Sequence, residues 1–281
     1  MESKPLVSII VGIYNCASTL DEAIQSILNQ TYDNWELILC DDGSSDNTYQ
    51  IAQKYQKQYP DRIIIIRNEI NLGLNKTLNK CLAEAHGTYI ARMDGDDISE
   101  KTRLEKEVEF LELHSEFALV STPMVYFDEN GDWGYGKSIK EPVLRDFVFY
   151  APCFCHAPVM IRKSVYDEVK GYTEEDAFLR FEDCNLWYKI YAAGYKGANL
   201  SEHLYKMRDD RDAYKRRTVN SRFRAVYVQW RGFRLVKMKW YYYPVLLKDL
   251  MKGIVLSIIP CSIYNMFHRM KLSKEVDERG I

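Results

Sequence analysis

Long apolar runs are missing where they would decide localisation. Residues 1–5 are polar and lead straight into a strand-like segment, with no long apolar stretch behind a basic start, so no secretory signal is expected and the reading is cytoplasmic. The charge-free stretch near the carboxyl end, residues 253–267, is 15 residues long and broken by Pro260, short of the ~20 apolar residues that a spanning helix needs. Paired cysteine motifs are missing too. The seven cysteines are odd in number and scattered, mostly inside apolar runs, which reads as reduced thiols; Cys153 and Cys155 are too close for zinc-finger spacing and have no second pair. The loop after the first predicted strand, Ile13-Tyr14-Asn15-Cys16-Ala17, has neither glycine nor cation. A sugar nucleotidyltransferase needs both there to hold a triphosphate. No internal repeat or low-complexity segment stands out.

What is present is an ordinary globular composition, 281 residues with 47% hydrophobic and 28% charged, enough to bury a real core. The net charge of -2 conceals an asymmetry. Residues 206–281 hold 18 Lys and Arg against seven Asp and Glu, and the first 205 residues hold 20 against 33. An acidic, cation-binding body with a basic tail is implied, the tail meeting an anionic partner or forming a solvated helical face.

Four β-branched, apolar runs (7–14, 35–40, 63–66, 89–93) alternate with stretches of helical period, the pattern of a parallel sheet with crossover helices. Ser18 with Asp21 is expected to form a capping box for a first helix carrying Leu20, Ala23, Ile24, Ile27 and Leu28. A second helix is expected over 45–59, ended by Pro60, and a third from Leu74 to Ala85, before Gly87. Beyond residue 100 come a charged helix (101–114), an apolar run (118–127), an Asn130-Gly131 turn and mixed elements to about Met207. This half is expected to pack on the same sheet. Residues 211–239 read as helical and basic, followed by the aromatic cluster Trp240 to Tyr243.

Ligands of open parallel sheets bind beyond the carboxyl ends of the strands, so the loops there are where chemistry is sought. Met93 to Ile98 places Asp94, Asp96 and Asp97 directly after a strand. Like charges that cluster repel unless a cation holds them, and hard oxygen ligands suit Mg²⁺ or Mn²⁺; an Asp-rich turn capping the next helix is the other reading of the same residues. Asp41-Asp42-Gly43-Ser44-Ser45-Asp46 follows the second strand and is either a nucleotide loop or an Asx-turn and cap.

Four blocks in order, VSIIVGIYN, ELILCDDGSSDNT, NLGLNKTLNKCLAEAHGTYIARMDGDD and FEDCNLWYKIYAAGYKGANL, resemble the inverting family 2 glycosyltransferases over roughly residues 5–205. GIYNC, NWELILCDD, ARMDGDD and LYKMRDD most resemble bacterial exopolysaccharide, capsule and O-antigen enzymes. The resemblance implies an α/β GT-A (Rossmann-like) fold, a mostly parallel sheet with flanking helices, over residues 1–207 (1–100 for the nucleotide-sugar, 101–207 for the acceptor), followed by a helical tail over 208–281. It implies that Tyr14 and the backbone near Gly12 flank the base of a nucleotide-sugar, a UDP-sugar foremost, and that Asp42 accepts a hydrogen bond from that base. Asp94 and Asp96 stand at the family's Asp-x-Asp motif with Mn²⁺ or Mg²⁺, Asp96 as the direct metal ligand. Asp97 is assigned to a donor hydroxyl or metal-bound water, and Arg92 to the diphosphate.

Glu182-Asp183, before the apolar period of Leu186, Trp187 and Ile190, matches the family's Glu-Asp motif. Asp183 is expected to be the base that takes the acceptor proton, with Glu182 supporting it, although a helix amino terminus favours the charged form and lowers basicity. His156 falls near the acceptor cleft or is a satisfied loop histidine. Processive members carry Gln-x-x-Arg-Trp; Gln229-Trp230-Arg231 has the wrong order, which implies one sugar per encounter. The basic, aromatic tail suits the interface of an anionic leaflet on the inner face of the cell membrane and a lipid-linked glycan acceptor. Packing on the body, or on a second copy as a homodimer, is the other reading of the tail. Nucleic acid is not expected as a partner, since no recognition motif accompanies the arginines. A non-catalytic membrane-surface protein remains the other functional class.

Overall fold

The computed structural model describes residues 4–149, 153–208 and 219–258. β1 (Val7–Ile13), α1 (Leu20–Leu28), β2 (Trp35–Asp41), α2 (Thr48–Gln58), β3 (Ile63–Arg67), α3 (Leu74–Ala83) and β4 (Tyr89–Asp94) alternate as the periodicity predicts. The four strands run parallel in the order β3-β2-β1-β4. Register brings Ile13 beside Asp41 and Gly12 beside Asp94, so the ends of β1, β2 and β4 open onto one edge.

The later chain contributes β5 (Ile98–Ser99), α4 (Arg103–Leu113), β6 (Leu119–Ser121), β7 (Met124–Asp128), β8 (Gly131–Tyr135), α5 (Asp146–Phe149), β9 (Met160–Arg162), α6 (Lys163–Val169), α7 (Glu182–Ala192), β10 (Gly197–Asn199), β11 (Tyr205–Arg208), α8 (Val219–Leu235) and α9 (Pro244–Ile258). β9, β6 and β10 extend the large sheet to seven strands, β9 lying antiparallel to both neighbours. Not every strand beyond residue 100 is part of that sheet. β5, β11, β7 and β8 form a second, four-stranded sheet, because Thr122-Pro123 breaks the 118–127 run and proline cannot continue a ladder.

Alternation of side chains along β1 and β2 builds a core on each face. Ile9, Val11, Leu37 and Leu39 pack with residues of α1, α2 and α4, while Ile10, Ile38 and Cys40 pack with α3, α6 and α7. The Ser18–Asp21 capping box does not form. α1 starts at Leu20 after Thr19, with no side-chain cap; Asp21 instead accepts from the Tyr55 hydroxyl at 2.7 Å, and Glu22, the acid at the third helical position, from Arg208 at 2.5 Å. α2 begins at Thr48 rather than Ser45, and its N-cap, Asn47, makes no side-chain cap; the Asp46 carboxylate just before it accepts from Thr48 N and Ala17 N.

The six described cysteines are free; Cys261 lies outside the described residues. α8 packs on α7, with Gly232 so close that an added Cβ would lie 2.1 Å from the Tyr188 ring. A 3-10 turn, Trp240–Tyr242, joins α8 to α9. Among the described residues no helix is long and apolar enough to cross a membrane. Much of the basic run from residue 211, and the tail beyond 258, fall outside them.

Candidate active site

The loops after β1 and β2 are stitched together by polar contacts that hydrophobic periodicity does not reveal. Asn15 N donates to Ser44 Oγ at 3.0 Å, Ser45 N to Asn15 Oδ1 at 2.9 Å, Cys16 N to Thr48 Oγ1 at 2.8 Å and Ala17 N to Asp46 Oδ2 at 3.1 Å. This holds the backbone beneath Tyr14, which is left 49% exposed at the strand end. Gly12 has a packing reason of its own: a Cβ there would come within 2.9 Å of Leu74 Cδ1 in α3. The Asp42 carboxylate is buried and accepts from Asn68 Nδ2, Leu72 N and Gly73 N at 2.8–3.0 Å. A carboxylate has about four acceptor directions, so three are used in pinning the 68–73 loop. Gly43, with φ +73° and the Ile70 backbone 2.7 Å from where its Cβ would be, is needed to pass under that loop.

The loop after β4 is held from far along the chain. Tyr205, buried on β11, accepts at its hydroxyl from Asp94 N at 3.0 Å. Arg208 N donates to Asp97 Oδ1 at 2.8 Å, and its Nε to the Asp96 carbonyl at 3.0 Å. Arg103 lies beneath, donating to the Arg92 carbonyl and pairing with Glu107 at 3.1 Å. Asp96 is exposed, Asp94 is 31% exposed, and Asp97 is buried with its Oδ2 lacking a hydrogen-bond partner. Burial, then repulsion from Asp94 and Asp96, pushes the Asp97 carboxyl well above its ordinary range.

Arg92 ties this loop to the acceptor side. Its buried guanidinium donates to Asp94 Oδ1. Burial alone would lower its pKa, but Asp94, with Tyr205, Tyr172 and Asp97, more than reverses that, so the group stays charged. The same charge is felt by Glu182, Asp183 and His156. Glu182 and Asp183 open α7, with Asp183 Oδ1 accepting from Cys184 N at 2.7 Å. Burial pushes the Glu182 carboxyl up to about 7, assisted by Asp183, and burial raises Asp183 as well. This corrects the expectation from the helix terminus alone: desolvation outweighs the amino-terminal N–H groups, leaving carboxyls more basic than usual. His156 is buried on Tyr172, Nε2 to hydroxyl 2.9 Å; burial, then Arg92, holds it well below its ordinary pKa and so neutral.

Residues 8–170 match the family described as glycosyl transferase family 2. Over 277 residues the chain is 42% identical to the putative glycosyltransferase EpsE of Bacillus subtilis, covering 98% of this chain and 97% of that protein. The chain belongs to glycosyltransferase family 2. Another relative, 31% identical over 204 residues (70% of this chain, 74% of the other), is the UDP-Glc:alpha-D-GlcNAc-diphosphoundecaprenol beta-1,3-glucosyltransferase WfaP of Escherichia coli. The fold resembles that of the mannosyltransferase PcManGT from Pyrobaculum calidifontis, solved in complex with GDP-Man and Mn²⁺, at TM-score 0.64 and 17% identity, covering 95% of this chain and 80% of that one. The fold is GT-A, as the motifs led one to expect.

In this family 2 glycosyltransferase the structure brings Gly12, Tyr14, Asp42, Arg92, Asp94, Asp96 and Asp97 to one sheet edge, with Glu182 and Asp183 within reach of the Arg92 charge. Among the described residues no group of three or more His, Cys, Asp or Glu is arranged to hold a metal by itself. Two carboxylates at the open end of β4, backed by the unpartnered Asp97 Oδ2, fit Mg²⁺ or Mn²⁺, which take one or two carboxylates together with substrate phosphates. Sequence reading missed Tyr205, Arg208 and Arg103, and it singled out the Asp41–Asp46 loop without the contacts that tie that loop and Thr48 to residues 15–17. LYKMRDD carried a signal for the first two, but none for what they touch.

Proposed function

We propose that this glycosyltransferase moves one sugar per encounter from a UDP-sugar, with inversion, to a lipid-linked glycan in bacterial surface polysaccharide synthesis. The supporting observation is the buried Arg92 guanidinium, in contact with Asp94 and felt by both carboxyls that open α7. Tyr14 and the backbone near Gly12 flank the base, and Asp42 accepts from the base with its remaining acceptor direction while holding the loop beneath. Asp94 and Asp96 hold Mn²⁺ or Mg²⁺, which when bound supplies positive charge to the departing diphosphate. Arg92 orients Asp94 and adds a second positive charge, and Asp97 takes a donor hydroxyl or a metal-bound water.

Asp183 removes the acceptor proton as that oxygen attacks the anomeric carbon on the face opposite the diphosphate, and Glu182 supports it. A raised carboxyl pKa suits this, because a base works best when its pKa approaches the operating pH. Residues 1–207 act as the transferase domain, with donor (1–100) and acceptor (101–207) halves, and 208–281 associate peripherally with the inner face of the membrane. WfaP is named for a UDP-sugar donor and a diphosphoundecaprenol acceptor, which supports both assignments here.

The test is a panel of UDP-, GDP- and dTDP-sugars assayed for hydrolysis and transfer with Mn²⁺ and then with chelator. Asp96→Ala should lower donor turnover by at least about 100-fold, equal to roughly 2.7 kcal/mol of barrier; turnover indifferent both to this change and to chelator would overturn the site. Asp183→Ala should keep donor affinity and lose transfer by about 100- to 10,000-fold, and unchanged transfer would remove it as base.

A further inference from the structure

Asn68 follows the end of β3 and is 2% exposed. Its backbone N donates to the Asp41 carbonyl at 2.8 Å, which fixes it at the open edge of the sheet. Its side chain meets α3, where Thr77 and Lys80, three positions apart, share one helix face. Lys80 Nζ donates to Asn68 Oδ1 at 2.5 Å, while Asn68 Nδ2 donates to Asp42 Oδ1 at 2.8 Å and to Thr77 Oγ1 at 3.2 Å. An ammonium group can only donate. The amide atom turned towards Lys80 is therefore the oxygen, and both N–H groups are left for Asp42 and Thr77.

That orientation decides what Asp42 can offer. Its other partners are Leu72 N at 2.8 Å and Gly73 N at 3.0 Å. Among the described residues every group hydrogen-bonded to this buried carboxylate is thus a donor, and an ionised carboxyl only accepts. One acceptor direction remains. A base that meets it has to bring an N–H, as uracil does at N3; a ring nitrogen with a lone pair in that place would face a second lone pair. The same contacts run beneath the end of β1, since Thr77 Cγ2 lies 3.3 Å from where a Cβ on Gly12 would be.

We infer that Asn68, held by Lys80, is a positioning residue that keeps Asp42 an acceptor and so selects a nucleotide whose base carries a ring N–H. This rests on the reading that Asp42 meets the base, and adds how the base is chosen. The test compares UDP with the diphosphate of 2-pyrimidinone riboside, which has the same sugar and phosphates but a bare N3 and no N–H on its base. Binding of each is measured by titration calorimetry with Mn²⁺ in wild type, Lys80→Arg, Lys80→Glu and Asn68→Asp.

Wild type and Lys80→Arg are expected to prefer UDP by at least about tenfold, the scale of one hydrogen bond to a charged group. Lys80→Glu attracts the amide N–H groups and turns the amide over, setting its oxygen against Asp42, and Asn68→Asp sets an oxygen there directly. Either way Asp42 loses a donor and gains a facing oxygen, which favours a protonated carboxyl able to donate. The preference for UDP should fall to within about threefold in both. Lys80 is exposed, so Lys80→Glu carries the test if Asn68→Asp does not fold. Equal binding of the two nucleotides by wild type overturns the proposal together with the assignment of Asp42 to the base. A full preference kept in Lys80→Glu, with both affinities lowered alike, makes Asn68 a support of the loop only; the proposal then falls while the UDP-donor reading stands. Wild type that binds no UDP removes that reading and the proposal with it.

Discussion

Tyr205 connects two demands that the acidic loop places on the fold. Three aspartates in four positions need their backbone fixed, or repulsion would spread them, and the loop has few donors of its own to do this. A phenol hydroxyl accepting from Asp94 N at 3.0 Å supplies one fixed point, and Arg208 N on Asp97 Oδ1 another. Tyr205→Phe keeps the buried ring and removes only the hydroxyl, leaving the Asp94 N–H without that partner at a cost of about 1–3 kcal/mol. The expected outcome is Mn²⁺-dependent UDP affinity weakened about tenfold, with metal-free UDP binding unchanged, as read by titration calorimetry. If Mn²⁺ raises UDP affinity equally in variant and wild type, Tyr205 serves the core alone.

At the scale of elements, α4 shows what such anchoring costs. Its Arg103 and Glu107 form a fully buried pair that supports the Arg92 carbonyl from below. Burial raises the Glu107 carboxyl to about 7 even though Arg103 opposes it, while an unfolded glutamate titrates near ~4.3. The folded state therefore binds this proton more tightly, and the associated stability is full below the unfolded value and lost as pH rises towards about 7. Glu107→Gln removes that titration. Its melting temperature relative to wild type should rise by several degrees between about pH 4.5 and 7, at roughly 2–4 °C per kcal/mol, and then level off. A difference flat across that window would mean that Glu107 stays charged throughout.

The same elements mark what a sequence discloses. β1 to β4 and α1 to α3 were legible because each carries several turns or pleats of one period, and their parallel order placed Asp42 and Asp94 at one edge. The second sheet was not, since β5, β7, β8 and β11 have two to five residues each, too few for a period to register. Their partners are also remote: Tyr205 and Arg208 act on residues 111 positions away. Hydrogen-bonding side chains such as Asn15 and Thr48 have no periodicity at all, so nothing in the order of residues announces the loop network. Burial behaves likewise, which is why the basicity of the α7 carboxyls was misjudged from the helix terminus.

For the whole molecule the charge separation matters more than its sum. The first 205 residues carry 33 acidic against 20 basic side chains, and the last 76 carry 18 basic against seven acidic. A uniformly charged protein of net -2 would ignore an anionic surface, whereas this one has a tail that is attracted and a body that is repelled. On the membrane reading proposed above, an anionic leaflet would draw the basic end of the chain towards it and turn the acidic body away. Near an anionic leaflet each Lys or Arg contributes about 1 kcal/mol, falling off within a Debye length of ~8 Å at physiological salt and ~3 Å at 1 M. Full-length protein should float with vesicles containing phosphatidylglycerol at low salt, lose most of that binding at high salt, and float weakly with neutral vesicles throughout. Salt-resistant flotation on neutral vesicles would assign the attachment to apolar insertion of Trp240 and the α9 face instead. No flotation under any of these conditions would remove the membrane from the mechanism.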